Sequence, residues 1–206
     1  HPYDQILARR QMGSMLKPVL FSVAFEMGYS PCQYLDNDSI IIAGYDGWRP
    51  QNFDRSAGGK YSLAGALVNS MNIPAVNLFL ETGFGRLDTL WRKLGFSFDL
   101  VNTPSLALGT AEASIEEVTL AYAAFANGGF RVTPQMIVSV QRHNGEMIWQ
   151  NEWSDIKTRV LTERTCSFMN AILRRAVRDG TGTPLRSRYG VEFPVAGKTG
   201  TTQEYT

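Results

Sequence analysis

Two pairs of residues in the sequence have the types and the spacing of a serine nucleophile and its base. Ser14 precedes Lys17 by three positions, and Ser154 precedes Lys157 by the same interval. A serine hydroxyl is a weak nucleophile near neutral pH, and a lysine at i+3 of a helix can serve as its base because the two side chains share a face. Chance produces this spacing about once in a chain of this length. Each pair therefore indicates either an activated serine or an ordinary local feature.

The surroundings of the two pairs favour the first as the reactive one. Ser14 leads into an apolar segment, where Lys17 can lose contact with water and shift toward its neutral form. The positive potential of a helix N-terminus acts in the same direction. Ser154 and Lys157 stand in NEWSDIKTR, a polar stretch in which water keeps a lysine protonated. We expect the second pair to lie in a solvated loop.

A further group of candidate residues stands near the end of the sequence, in GKTGT. A phosphate loop would need a glycine five residues before Gly197, but Glu192 stands there, so nucleotide binding is not expected. The stretch VEFPVAGKTGTT predicts a strand. At a sheet edge, Lys198, Thr199 and Thr201 could offer an ammonium group, hydroxyls and backbone N–H groups to a substrate carboxylate and oxyanion. An ordinary strand end is the alternative.

The tripeptide SMN, from Ser70 to Asn72, falls in the break between two predicted short helices. Side chains in such a break can point into a cleft. The Ser70 hydroxyl could relay a proton there, and the Asn72 amide could hold a peptide bond of a substrate. The alternative is a helix cap that leads into Pro74.

Composition limits the classes of function. The chain has 206 residues, of which 44% are hydrophobic, and 20 basic against 19 acidic residues, so it can bury a core and shows no basic run for nucleic acid. Cys32 and Cys166 are too far apart for a zinc cluster, and we expect two buried free thiols. His143 precedes an Asn-Gly turn, which indicates an exposed loop and removes most Ser-His-Asp interpretations. No apolar stretch reaches the roughly 18 residues of a membrane span.

The elements that must position these candidates make up a helix-rich α+β domain. Apolar periodicity, serine or threonine caps and terminating glycines predict helices. β-Branched runs and an Asn-Gly turn predict strands late in the chain, with one short strand earlier in a long irregular segment, residues 29–60. The predicted helices are 14–27, 63–69, 74–82, 86–94, 114–128 and 162–179, and the predicted strands are 39–43, a hairpin around 144–145, and 191–202.

The order of the three motifs, serine-x-x-lysine, serine-x-asparagine and lysine-threonine-glycine, resembles the site signature of the penicillin-recognising serine acyl-enzymes. The longer stretches that carry the resemblance are RRQMGSMLKP, WRPQNFD, ALVNSMNIPAVNL, LALGTAEASIEEVTLAYAAFANGG and GTGTPLRSRYGVEFPVAGKTGTT. Together they are similar to the transpeptidase domain of class A penicillin-binding proteins, most of all to the bifunctional type of Gram-negative bacteria. Met12 departs from the family, which usually has proline there. The resemblance implies an α+β fold in which an antiparallel sheet packs with helices beside a helix-rich subdomain.

The resemblance implies a catalytic role for four side chains. Ser14 would attack the carbonyl of a D-Ala-D-Ala stem peptide, Lys17 would take its proton, and the terminal D-alanine would leave. Ser70, assisted by Lys17 or Lys198, would pass a proton to the departing amine. An amine of a neighbouring stem would then resolve the acyl-enzyme into a cross-link, and β-lactams would trap Ser14.

The resemblance also implies the substrate contacts and the setting of the domain. Asn72 would hold the substrate amide, and Thr199, Gly200 and Thr201 would bind the donor end, with the two threonines and Lys198 facing the carboxylate. The backbone N–H groups of Ser14 and Thr201 would form the oxyanion hole. No metal or cofactor is implied. We expect residues 1–206 to be part of a longer, membrane-anchored protein at the periplasmic face of the cytoplasmic membrane, with further strands, a glycosyltransferase domain and the anchor outside this chain.

Two other functions compete with the transpeptidase. A serine β-lactamase shares the first half-reaction, but one large class activates water with a Glu-x-x-x-Asn loop, and no glutamate here is followed four residues later by asparagine. A non-enzymatic relative would be a β-lactam sensor, or a scaffold that binds partners through the 29–60 segment. Cell-wall synthesis proteins are among the expected partners of the longer protein.

Overall fold

The computed structural model describes residues 4–151 and 158–201, and the second serine–lysine pair, Ser154 and Lys157, lies outside these ranges. Helices dominate the described chain. The α-helices are α1 Lys17–Glu26, α2 Leu63–Val68, α3 Asn72–Thr82, α4 Phe84–Leu94, α5 Ile115–Ala126, α6 Glu163–Asp179 and α7 Pro184–Ser187, with 3₁₀ turns at Gly13–Leu16 and Pro104–Leu108. The strands are β1 Arg10–Gln11, β2 Tyr34–Asp36, β3 Lys60–Ser62, β4 Glu112–Ala113, β5 Ser139–Gln141 and β6 Met147–Gln150.

Helix α1 lies at the centre of the molecule. Every residue from Lys17 to Phe25 is buried, and the helix contacts α2, α3, α4 and α6. A helix that is apolar on all sides can only be stable inside a core, because each fully buried leucine or phenylalanine contributes about 1.5–3 kcal/mol. Lys17, at the first position of this helix, is therefore held at the centre of the protein.

The helix boundaries follow the capping signals of the sequence. The Ser62 hydroxyl accepts a hydrogen bond from the Gly65 N–H at the start of α2, and Thr162 accepts one from Thr165 at the start of α6. Ser114 and Glu117 form a complete capping box at the start of α5. These bonds satisfy backbone donors that have no partner within the helix. The predicted helices are confirmed to within a few residues.

In the described part of the chain, the strands form three antiparallel pairs, β1 with β4, β2 with β3 and β5 with β6. The predicted α+β class with antiparallel pairing is confirmed, and the predicted hairpin around Asn144-Gly145 is the β5–β6 pair. The predicted strand at 39–43 is wrong. Residues Tyr34–Asp36 form the strand instead, because Leu35 and its neighbours find a partner in Lys60–Ser62.

The predicted strand at 191–202 is also wrong for the part that the structure describes. Residues 191–201 have no regular secondary structure. A strand requires a neighbour that completes its hydrogen-bond ladder. Pro194 has no N–H to donate, and the Gly197 N–H donates to the Leu173 carbonyl of α6 at 3.3 Å, which ties the segment to a helix.

Both cysteines are free thiols, as expected, but only Cys166 is buried. Cys32 is exposed because it lies in the turn before β2 rather than on an apolar helix face.

Candidate active site

Lys17 is fully buried, and oxygen acceptors surround its amine. Its Nζ donates hydrogen bonds to the Ser70 carbonyl oxygen at 2.7 Å and to Asn72 Oδ1 at 2.7 Å, and lies 3.4 Å from Ser70 Oγ. Its side chain has no exposed surface. An amine without access to water must be satisfied in this way, because an unpartnered buried ammonium is very costly.

Ser70 occupies a left-handed backbone conformation at the end of α2. Its φ is +56°, and its N–H and that of Met71 donate to the carbonyls of Leu67 and Ala66, the Schellman arrangement that ends many helices. Glycine usually fills this position because a Cβ there is unfavourable. The geometry turns the chain so that both the carbonyl and the hydroxyl of Ser70 face Lys17.

Asn72 is fixed through three different atoms. Its Oδ1 accepts from Lys17, its Nδ2 donates to the Gln51 carbonyl at 2.7 Å, and its backbone N–H donates to Asn52 Oδ1 at 2.7 Å. Gln51 and Asn52 belong to the 29–60 segment. This segment therefore holds the start of α3 and, with it, the amide oxygen that faces Lys17.

Lys198 approaches the same serine from the other side. Its Nζ donates to Ser70 Oγ at 2.8 Å and to the Thr199 carbonyl at 3.0 Å. The Thr199 hydroxyl lies 2.8 Å from the hydroxyl of Thr181, just after α6. The Ser70 hydroxyl is thus shared between two amines, one from α1 and one from the segment after α7.

Ser14 lies on the 3₁₀ turn that precedes α1, half-buried and directly before the buried apolar face. The turn is packed tightly on both sides. A methyl group added at Gly13 would come within 2.5 Å of the Thr201 carbonyl oxygen, and one added at Gly109 would overlap the Gly13 carbonyl. The Tyr122 hydroxyl donates to the Met15 carbonyl at 3.0 Å. These contacts bring the Thr201 backbone against the residue that precedes Ser14.

Both lysines have pKa values near neutrality. Burial, followed by the positive charge of Lys198, lowers the pKa of Lys17 to about 7. Burial lowers the pKa of Lys198 to about 8. Near pH 7 a large fraction of Lys17 is therefore neutral and can accept a proton, whereas an exposed lysine is almost wholly protonated.

The structure brings the three predicted motifs to one place, although they are far apart in the sequence. Lys17, Ser70, Asn72 and Lys198 form one connected set of hydrogen bonds. Within residues 4–151 and 158–201, no hydrogen bond joins the Ser14 hydroxyl to the Lys17 amine, because the amine donates to Ser70 and Asn72 instead. The backbone N–H of Lys17 does donate to the Ser14 carbonyl. The arrangement can move a proton between two amines through the Ser70 hydroxyl, next to a serine on a tightly supported turn.

Comparison with known proteins decides the family. The model of the penicillin binding protein transpeptidase domain matches residues 4–206. The chain belongs to this family. Among curated relatives, the transpeptidase domain is 34% identical to penicillin-binding protein 1A of Aquifex aeolicus and 28% identical to penicillin-binding protein 1B of Haemophilus influenzae, over 97% of this chain in each case.

These relatives confirm the resemblance of the transpeptidase domain to class A penicillin-binding proteins. The chain covers 27% of the Aquifex protein and 26% of the Haemophilus protein, so it spans about a quarter of the length of each. None of the helices in the described residues is long and apolar enough to cross a membrane.

Solved structures have the same fold. The crystal structure of penicillin-binding protein 1A from Haemophilus influenzae superposes with a TM-score of 0.87 at 25% identity, over 98% of this chain and 36% of that one. An imipenem acyl-enzyme complex of penicillin-binding protein A from Mycobacterium tuberculosis superposes with a TM-score of 0.84 at 17% identity, over 98% of this chain and 51% of that one. At such a low identity the second likeness establishes the fold of the transpeptidase domain alone.

One residue of the site was not found from the sequence. Asn52 is 3% exposed and supports Asn72 through the backbone of α3. It stands in a polar, turn-rich segment where an asparagine ordinarily satisfies a local turn. Its stretch, WRPQNFD, contributes to the family resemblance, but neither its type nor its spacing from Ser70 assigns it a role, because the contact depends on how the 29–60 segment folds back.

Proposed function

We propose that this domain is a D,D-transpeptidase that cross-links peptidoglycan stem peptides through an acyl-enzyme on Ser14. The observation that carries the proposal is the Ser70 hydroxyl, shared by two amines of lowered pKa beside the Ser14 turn. Such an arrangement supplies both a base and a proton relay at neutral pH. Membership of the penicillin-binding protein transpeptidase family gives the substrate class.

In the first step, neutral Lys17 takes the proton of the Ser14 hydroxyl while the Ser14 oxygen attacks the carbonyl of the penultimate D-alanine. The lowered pKa of Lys17 supports this role, because an amine that is partly neutral at pH 7 can accept a proton. The charge of Lys198 contributes to this lowering without competing for Ser14, since it donates to Ser70 instead.

In the second step, the C–N bond to the terminal D-alanine breaks, and the departing nitrogen takes a proton from the Ser70 hydroxyl. Lys17, which carries the proton taken from Ser14, returns it to Ser70 Oγ at 3.4 Å. Lys198 stays protonated and donates a hydrogen bond to the same oxygen at 2.8 Å. An acceptor amine then attacks the ester by the reverse route, which releases Ser14 and forms the cross-link.

Substrate contacts are proposed for the remaining site residues. The backbone N–H groups of Ser14 and Thr201 would stabilise the oxyanion, and the close approach of Gly13 and Thr201 supports this pairing. Lys198, Thr199 and Thr201 would face the terminal carboxylate, and Gly200 would bind the donor end with them. A methyl group added at Gly200 would come within 2.9 Å of the Met15 side chain, so its backbone lies against the turn that carries Ser14. The Asn72 amide would hold the substrate peptide bond.

We infer that residues 1–206 form part of this transpeptidase domain within a membrane-anchored protein at the periplasmic face of the cytoplasmic membrane. The relatives named penicillin-binding proteins 1A and 1B support this setting. The partners would be donor and acceptor stem peptides, β-lactams and other cell-wall synthesis proteins.

Turnover of a stem peptide ending in D-Ala-D-Ala, in the presence of an amine acceptor, tests the proposal. The intact protein should release D-alanine and form the acceptor-linked product, and Ser14→Ala should do neither. Fast hydrolysis of a chromogenic β-lactam would identify a β-lactamase. A stable β-lactam adduct without peptide turnover would identify a sensor, and the absence of both would reject an acyl-enzyme.

A further inference from the structure

The 29–60 segment reaches the site through one buried side chain. Asn52 Oδ1 accepts hydrogen bonds from the backbone N–H groups of Asn72 at 2.7 Å and Ile73 at 3.1 Å. These are the first two donors of α3, which have no partner within the helix. Met71, the residue at the cap position of α3, makes no side-chain cap hydrogen bond. Asn52, which lies twenty residues before Asn72 in the sequence, therefore caps the N-terminus of α3.

Asn52 is itself held by a second buried asparagine. Its Nδ2 donates to Asn37 Oδ1 at 2.7 Å and to the Ser56 carbonyl at 2.8 Å. Asn37 is 1% exposed, donates its backbone N–H to Gly59 and accepts from the Gly58 N–H. With the Asn52 oxygen and nitrogen both engaged, its amide can point in only one direction.

The contacts of Asn52 lie directly behind the groups that face Lys17. Asn72 uses its backbone N–H for Asn52 and its Oδ1 for Lys17. Ser70, two residues earlier, keeps a left-handed conformation that costs energy and persists only when its surroundings impose it. A cap that fixes the first turn of α3 restrains this conformation from its C-terminal side.

We propose that Asn52 is a positioning residue for the acylation reaction, which holds the turn from Ser70 to Asn72 in the geometry that presents both side chains to Lys17. The inference rests on the proposed function of the site. Asn52 acts through Asn72 and the backbone of α3, and we assign it no contact with substrate. Asn37 holds Asn52 in place and therefore contributes to the same positioning indirectly.

Asn52→Leu tests the proposal, because leucine is close in size but accepts no hydrogen bond. Two quantities should change in the intact protein. Hydrogen exchange of the Asn72 and Ile73 amides should accelerate while the rest of α3 stays protected. The acylation rate constant for penicillin, measured at saturating drug, should fall roughly 10- to 100-fold, as expected when reacting groups are displaced by about 1 Å. The final amount of labelled protein should not change, whereas a purely structural defect would lower that amount and leave the rate constant of the folded fraction intact.

Two further variants separate positioning from general stability. Asn52→Asp keeps an acceptor oxygen for both amides but loses the Nδ2 donor to Asn37 and Ser56. Its amide protection and its acylation rate constant should therefore lie between those of the unmodified protein and those of Asn52→Leu. Asn77→Ala removes another asparagine that ties the same helix to the same segment, through the hydrogen bond from Nδ2 to the Asp36 carbonyl at 2.9 Å rather than through the N–H groups of Asn72 and Ile73. It should leave the acylation rate constant unchanged.

The outcomes distinguish this inference from the proposed function. Unchanged exchange or an unchanged rate constant in Asn52→Leu overturns the positioning role, as does an equal loss of rate in Asn77→Ala. If Asn52→Leu does not fold, Asn37→Ser, which removes the acceptor of Asn52 Nδ2, should give both effects to a smaller extent. If the unmodified protein is not acylated, the proposed function fails, and amide exchange still decides whether Asn52 holds the turn.

Discussion

Ser70 combines a hydroxyl shared by two lysines with a backbone conformation that residues with a Cβ avoid. A left-handed residue other than glycine costs roughly 1–2 kcal/mol, and such strain is found where function requires a side chain. Stability and activity should therefore respond in opposite directions to the removal of this side chain.

Ser70→Gly should raise the free energy of unfolding by about 1 kcal/mol, because glycine adopts the left-handed conformation without a steric cost. Penicillin acylation should become about 100-fold slower, because the proposed proton relay to the leaving nitrogen is lost. Urea unfolding and the acylation rate measure the two effects. Ser70→Ala is the control: it should lose the same activity without the gain in stability, and equal stability of the two variants would contradict the assigned strain.

At this scale the sequence predicted the side chains of the proposed site but not the contacts that hold them. Ser14, Lys17, Ser70 and Lys198 are recognisable because their types carry chemistry and their motifs follow in order. Asn52 is not recognisable, because its role comes from a bond between its side chain and a distant backbone.

Among the elements, the turn before α1 depends on two glycines packed against each other. Gly109, at φ +89°, ends the second 3₁₀ turn, and the Gly13 backbone leaves no room for a side chain at this position. The Gly109 carbonyl also accepts the Gly13 N–H at 2.9 Å. The position of Ser14 is therefore set by a contact between two turns rather than by α1 alone.

Gly109→Ala should lower the free energy of unfolding by about 2–5 kcal/mol, through overlap with the Gly13 backbone and the strain of a positive φ. Gly44→Ala is the matched control, since Gly44 has a φ of +82° but no atom within 4 Å of an added methyl group. Gly44→Ala should lower the free energy of unfolding by about 1 kcal/mol. Thermal unfolding compares the two, and equal losses would show that the contact with Gly13 is not tight.

Helices were predicted well, and strands less well, for a physical reason. The caps at Ser62, Ser114 and Thr162 and the glycines after the helices act within a few residues, so the local sequence contains them. A strand exists only with a partner. The pairing of Tyr34–Asp36 with Lys60–Ser62, and the course of 191–201 along α6, depend on distant contacts that the local pattern does not encode.

For the whole molecule, a lysine at the start of the central helix couples the active site to stability. Burial holds the pKa of Lys17 near 7 in the folded protein, below the ordinary value of 10.5. Between these two pKa values the unfolded chain binds more protons than the folded one, so the free energy of unfolding rises with pH. The cost of burying this amine is therefore fully present below pH 7 and disappears as the pH rises toward 10.5.

The free energy of unfolding of the unmodified protein, minus that of Lys17→Met, should therefore increase with pH between about 7 and 10. The slope should approach 1.4 kcal/mol per pH unit, about the value for one proton. Denaturant unfolding at several pH values measures it. Lys93→Met, at an exposed lysine in the last turn of α4, is the control for the loss of a lysine. A difference that does not vary with pH would contradict the lowered pKa of Lys17.

The most direct test of the central claim, that Ser14 is the acylated nucleophile, is the intact mass of the protein after incubation with a penicillin. We predict a persistent adduct of one penicillin, lost in Ser14→Ala and retained in Ser154→Ala. An adduct that remains in Ser14→Ala, or one that disappears in Ser154→Ala, would contradict the assignment.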